Sequence, residues 1–219
     1  MKILLNNDDL NEALYSISDL GFVPTMGSLH KGHISLIKKS LKECDKTIVS
    51  IFVNPAQFND KKDYKKYPRN NKKDLSILKK LNVNYVYLPQ SKNVYDLSHK
   101  GKITLKMKDK ILCAKYRKGH FEGVIKIMTL LTKLIKPQKI YMGEKDFQQL
   151  YLVKKFIEKK FNTKIVPCKT IRDKNKLALS SRNLFLKKDE LINAGKIAKN
   201  IFSFNKNLIK KKNIENLFI

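Results

Sequence analysis

The chain has 219 residues, 42% hydrophobic and 30% charged, which is enough to bury one α/β core and excludes wholesale disorder or a disulfide miniprotein. No run approaches the roughly 18 apolar residues that span a bilayer; the start Met1-Lys2-Ile3-Leu4-Leu5-Asn6-Asn7-Asp8-Asp9 turns acidic too early for a signal peptide, and three scattered cysteines (Cys44, Cys113, Cys168) fit free thiols in a reducing cytoplasm. The net charge of +28 suggests nucleic acid, but only four of the 47 basic residues are arginine and the lysines are scattered, so a nucleic-acid partner is not expected.

Strand and helix patterns then alternate along the chain, which predicts a Rossmann-like parallel sheet with helices on both faces. Residues 21–25 read as the first strand, running into a loop. Ile34, Ile37, Leu41 and Cys44 share one face of a helix over 33–44. Residues 47–53 form a β-rich buried strand; Leu75, Leu78 and Leu81 mark a helix; 84–88 is a strand stopped by Pro89. Between 121 and 135 two adjacent apolar stripes predict a helix largely inside the protein, ended by Lys136-Pro137. A strand over 139–142, a helix from 147 to 161, a strand over 163–166 before Pro167 and a helix over about 188–202 complete the pattern. The last residues carry no assignable pattern.

The sharpest signal is Val23-Pro24-Thr25-Met26-Gly27-Ser28-Leu29-His30-Lys31-Gly32-His33. It lies where a strand's carboxyl end meets a helix start, the nucleotide position of open α/β sheets. Helix-start N–H groups favour phosphate oxygens. His30 and His33, three apart, lie side by side on one turn and can donate hydrogen bonds as charge builds on a transferring phosphoryl group. This His-x-Gly-His arrangement belongs to nucleotidyl-transferring α/β enzymes. Asn54 and Gln57 fall at the edge of the same sheet and suit a substrate carrying hydroxyls. Arg117 and His120 stand near a helix start, where anion contact competes with an ordinary basic helix start. Gly143-Glu144-Lys145-Asp146 again joins a strand to a helix, with Lys145 in reach of a phosphate and Gln149 one turn on. Ser180-Ser181-Arg182 offers hydroxyls and a guanidinium for phosphate oxygens, or a serine helix cap. Each of the four arginines, Arg69, Arg117, Arg172 and Arg182, sits in a segment of this kind.

Together the blocks PTMGSLHKGH, FVNPAQF, YPR, GHFEGV, GEKDFQQL and LALSSRN, in order over residues 21–186, resemble the pantothenate synthetase (pantoate–β-alanine ligase) family. The resemblance implies a pantoate carboxylate attacking the α-phosphorus of ATP, then β-alanine attacking the acyl adenylate, with pyrophosphate and AMP released. It implies catalytic roles for His33, His30 and Lys145. ATP would be bound by Met26, Gly27, Ser28, Leu29, His30, Lys31, Gly32 and His33, by Gly143, Glu144, Lys145 and Asp146, and by Ile171, Leu179, Ser180, Ser181 and Arg182. Gln57 and Gln149 match pantoate-binding glutamines, Gln57 also borders β-alanine, and Asp74 matches a residue on the Mg²⁺ side. The resemblance further implies a cytoplasmic homodimer with ATP as substrate, Mg²⁺ as companion ion and no membrane partner.

Two departures stand out. Asn175-Lys176 replaces the family's Asp-Gly, and only 36 residues follow Asn183. The expected organisation is therefore a nucleotide- and pantoate-binding domain over 1–172 and the remnant of a C-terminal lid domain over 173–219. A shortened lid would leave the adenylate open to water, read as AMP formed in excess of pantothenate. The competing readings are another His-x-Gly-His nucleotidylyltransferase, a class I aminoacyl-tRNA synthetase fragment (whose second signature Lys106 to Lys110 matches poorly), or a decayed basic RNA-binding remnant.

Overall fold

The chain divides into two compact units, Met1–Lys169 and Thr170–Ile219; the computed structural model describes residues 1–95 and 103–215. The first unit begins with β1 (Lys2–Leu4), α1 (Asn7–Leu14), β2 (Leu20–Thr25), α2 (Lys31–Glu43) and β3 (Lys46–Ile51). After a 3-10 turn at Pro55–Gln57 come α3 (Lys61–Lys66), α4 (Asn71–Lys80), β4 (Tyr85–Tyr87), α5 (Ser91–Tyr95) and α6 (Cys113–Tyr116). Then follow α7 (His120–Ile135), β5 (Lys139–Gly143), α8 (Phe147–Lys160) and β6 (Lys164–Cys168). No described helix is long and apolar enough to cross a membrane.

The six strands form one sheet in the order β1-β4-β3-β2-β5-β6, and every pairing is parallel. Period-two alternation sends neighbouring side chains to opposite faces. Phe22, Ile48, Tyr87 and Ile140 pack with Val124, Leu131, Val153 and Ile157 of α7 and α8. Val23, Val49, Val86 and Tyr141 pack with Ile37 and Leu78 of α2 and α4 on the other side. The expected doubly covered parallel sheet is present. The twin apolar stripes of α7 are explained by its depth, since Ile125, Leu130 and Ile135 are all buried. That helix stops where Lys136 turns left-handed (φ +51°) ahead of Pro137.

Two differences from the sequence reading have simple causes. The strand over 21–25 is the second rather than the first, because β1 and α1 precede it. Asn6 caps α1 by accepting from the N–H of Asp9 at 2.8 Å, with Asp8 and Asp9 in the first turn, a helix-start signature too short to stand out by periodicity. β6 also continues through Pro167 to Cys168. It is an edge strand, where a missing N–H costs no ladder bond.

β2 lies between β3 and β5, so the strand order reverses there and the crevice of the sheet opens at the carboxyl ends of β2 and β5. Pro24 sharpens this. Odd residues of β2 address β3, as when Thr25 O accepts from Phe52 N, and even ones address β5, as when Leu20 O accepts from Gln138 N. Pro24 therefore faces β5 without an N–H to give. Pairing with β5 ends at Phe22↔Ile140, while pairing with β3 continues to Thr25↔Ile51.

In the second unit Arg172 and Ala178 bridge antiparallel, a 3-10 turn spans Ser181–Phe185, and α9 runs Lys188–Glu215. This helix continues beyond the expected stop near 202 because no glycine or proline interrupts residues 203–215.

Candidate active site

The loop after β2 bends through two successive left-handed residues, Gly27 (φ +80°) and Ser28 (φ +52°). The N–H groups of Ser28 and Leu29 both donate to the Asp74 carboxylate at 2.8 Å. α2 then starts at His30 in a closed exchange. His30 Nδ1 accepts from Gly32 N at 3.1 Å, and His33 Nδ1 accepts from His30 N at 3.3 Å. The histidines thus form a reciprocal capping box, a job usually done by Ser or Thr with Glu or Gln. Their rings lie 4.0 Å apart.

The cap fixes the tautomers. A ring nitrogen that accepts an N–H carries no proton, so both neutral rings hold theirs on Nε2, as donors. Burial pushes His33 down to about 3, helped by the neighbouring His30 and the Lys145 ammonium. Burial and then Lys145 lower His30 as well. The Lys145 ammonium is thus near enough to act electrostatically on both rings. Lys145 Nζ also pairs with Asp146 at 2.9 Å.

A depressed imidazole has a definite consequence for stability. Between its ordinary pKa of 6.5 and about 3, the unfolded chain binds a proton that folded His33 refuses. Stability is then complete above 6.5 and falls as pH drops through that window, by at most about 1.4 kcal/mol for each pH unit. We expect denaturant midpoints to fall more steeply from pH 7 to pH 4.5 in the wild type than in His33→Asn. Parallel midpoints would contradict the depressed imidazole.

Gln57 ends the turn after β3. Its Nε2 donates to Met26 Sδ at 3.0 Å, its Oε1 accepts from Asn54 Nδ2 at 3.3 Å, and its carbonyl is 2.5 Å from His120 Nδ1. Tyr95 hydroxyl donates to Asn54 Oδ1. Gly123, on the first turn of α7, faces this turn so closely that a Cβ there would collide with the Ala56 carbonyl. Sequence reasoning named Asn54 and Gln57 but missed what holds them. His120, only 6% exposed, braces the Gln57 turn where an anion contact had been weighed. The GHFEGV block carried that signal in its glycine.

The two glutamines on α8 divide their work. Gln148 donates to Ile111 O at 2.7 Å and accepts from Ala114 N at 3.2 Å, while Gln149 is half-buried on the same turn. Two of the arginines are engaged by neighbouring groups. Arg69 donates to the carbonyls of Tyr64, Lys65 and Tyr67 and covers the Tyr64 ring. Arg172 donates to Lys176 O at 3.0 Å and stacks on Phe202.

In the second unit Leu179 N donates to Ile171 O at 3.0 Å, and Ser180 Oγ accepts from Arg182 N at 3.2 Å, the cap expected of a serine there. Lys176 adopts φ +67°, a left-handed position that glycine takes without strain.

Asp74 was expected on the Mg²⁺ side. It is 1% exposed, and both its oxygens accept backbone N–H groups. Mg²⁺ demands near-octahedral geometry and keeps several waters, which this buried, doubly engaged carboxylate does not accommodate. No group of three or more His, Cys, Asp and Glu suited to a metal gathers among the described residues.

A parallel sheet with a His-x-Gly-His turn at its switch point defines the class of nucleotidylyltransferase-like α/β proteins. The comparisons narrow it. The pantoate-beta-alanine ligase family model matches residues 2–217. A pantothenate synthetase of Endomicrobium trichonymphae is 47% identical over 191 residues, covering 85% of this chain and 68% of that protein. One from Pseudothermotoga lettingae is 37% identical over 212 residues, 92% of this chain and 75% of its own length. The crystal structure of the pantoate-beta-alanine ligase of Francisella tularensis, complexed with beta-gamma ATP and beta-alanine, matches with a TM-score of 0.87 and 42% identity over 91% of this chain and 78% of that one. The chain belongs to the pantoate–β-alanine ligase family.

Proposed function

We propose that the chain condenses pantoate with β-alanine in two steps at one site. A pantoate carboxylate oxygen bonds to the α-phosphorus of ATP and pyrophosphate leaves. The β-alanine nitrogen then bonds to the acyl carbon, AMP leaves with the carboxylate oxygen, and the amine loses a proton. One observation carries this proposal: His30 and His33 are capped so that both Nε2–H groups are donors at the sheet's switch point, beside the Lys145 charge. Fixed donors of this kind stabilise charge on a phosphoryl group without reorganising. With a pKa of about 3, His33 acts as a hydrogen-bond donor and not as an acid.

ATP is taken by Met26 to His33 and Gly143 to Asp146. Gln57 and Gln149 hold pantoate, and Gln57 borders β-alanine. Mg²⁺ would arrive with the nucleotide's own phosphates as part of the substrate. A homodimer is supported by the large apolar side chains exposed on the first unit, among them Met107, Ile111, Leu112, Tyr116, Phe147 and Tyr151.

Isotope exchange between pyrophosphate and ATP tests the first step. We expect exchange only with pantoate present, and AMP release to rise when β-alanine is added. Exchange without pantoate would favour another nucleotidylyltransferase.

A further inference from the structure

We propose that Asp74 is a positioning residue, which holds the loop of residues 26–33 in its binding shape from beneath and does not ligate magnesium. This rests on that loop being the seat of ATP. Asp74 stands on the first turn of α4, whose cap is already supplied by Asn70, with its side chain accepting from Lys73 N. It is therefore not needed to close its own helix. Its two oxygens instead reach 45 and 46 residues back to the N–H groups of Leu29 and Ser28.

The loop needs such an anchor. Gly27 and Ser28 are consecutive left-handed residues, a conformation that a residue carrying a Cβ adopts only at a cost. Successive amides turned to one side make a concavity that attracts an anion. Here the protein's own carboxylate fills it. The approach is close because residue 27 is glycine: a Cβ there would lie 3.0 Å from Asp74 Oδ2. Holding Ser28 and Leu29 fixes the direction in which the chain reaches His30, and so the aim of both imidazoles.

Asp74→Asn keeps the shape but offers one acceptor oxygen and an amide that donates, so one buried N–H loses its partner. The expected result is a KM for ATP raised about 10- to 100-fold, with the KM for β-alanine and the Mg²⁺ concentration for half-maximal rate unchanged. An increased Mg²⁺ requirement with ATP affinity intact would make Asp74 a metal-side group and overturn the proposal, as would an unchanged KM for ATP. A second measurement needs no variant. In the ligand-free wild type the Ser28 and Leu29 amides should be protected from hydrogen exchange, and exchange at the open-chain rate would overturn the anchor. A wild type that fails to use ATP with pantoate would sink the ligase assignment instead and leave the exchange result standing.

Discussion

His33→Ala is expected to lower the rate of adenylate formation by about 10² to 10³-fold, the scale of losing one preorganised donor at a developing charge. The ring does two things at once. In the proposed reaction Nε2–H is the donor to the phosphoryl group, and Nδ1 accepts the N–H of His30 at 3.3 Å, closing the first turn of α2. Alanine removes both. Two further variants separate them, because an asparagine oxygen sits near the place of Nδ1 and a glutamine nitrogen near that of Nε2. His33→Asn keeps the cap and should remain slow; His33→Gln keeps the donor and should recover part of the rate. Single-turnover adenylation checks this, and wild-type rates for all three variants would remove His33 from the chemistry. The pH profile of kcat/KM for ATP, which reports the free protein, should show no titration of this residue between pH 5 and 8, since its pKa there is about 3.

Gly123→Ala is expected to reduce kcat/KM for pantoate by about 10²-fold while changing the KM for ATP little. Helix propensity argues the other way, because alanine in a helix interior gains up to about 1 kcal/mol over glycine. Packing decides. A Cβ at 123 would meet the carbonyl of Ala56 and come within 3.1 Å of Gln57 N, and both are backbone atoms that no rotamer change can remove. The turn must shift, carrying the Gln57 amide with it, and a displacement near 1 Å costs about two orders of magnitude in a positioned reaction. Steady-state kinetics with pantoate varied decide the matter. Wild-type values would mean that Gln57 does not hold pantoate.

What the sequence revealed was the chemistry that repeats in short blocks. The strand-loop-helix pattern around His30 and His33 was legible because a short apolar run leads into the glycines and α2 follows with a clear apolar face at steps of three and four. The buried depth of α7 was legible from its twin stripes. Other features depended on partners far along the chain. Nothing near Asp74 announces that its oxygens serve Ser28 and Leu29, and nothing near His120 announces Gln57. β1 and α1 escaped because three strand residues and eight helical ones hold too few periods to count. Arg69 looked like a site because arginine is scarce here, yet its guanidinium is spent on neighbouring carbonyls. Scarcity of a residue type says nothing about the geometry that uses it.

Pro24 bears on the sheet beside the histidine loop. The early end of pairing between β2 and β5 follows from an amide hydrogen that Pro24 never had, so it is present from the moment the sheet forms. No ligand has to prise the strands apart, and no hydrogen bond is broken and remade with each turnover. The shortened pairing is a permanent fixture of the scaffold, and whatever motion the catalytic cycle requires is left to the segments around it.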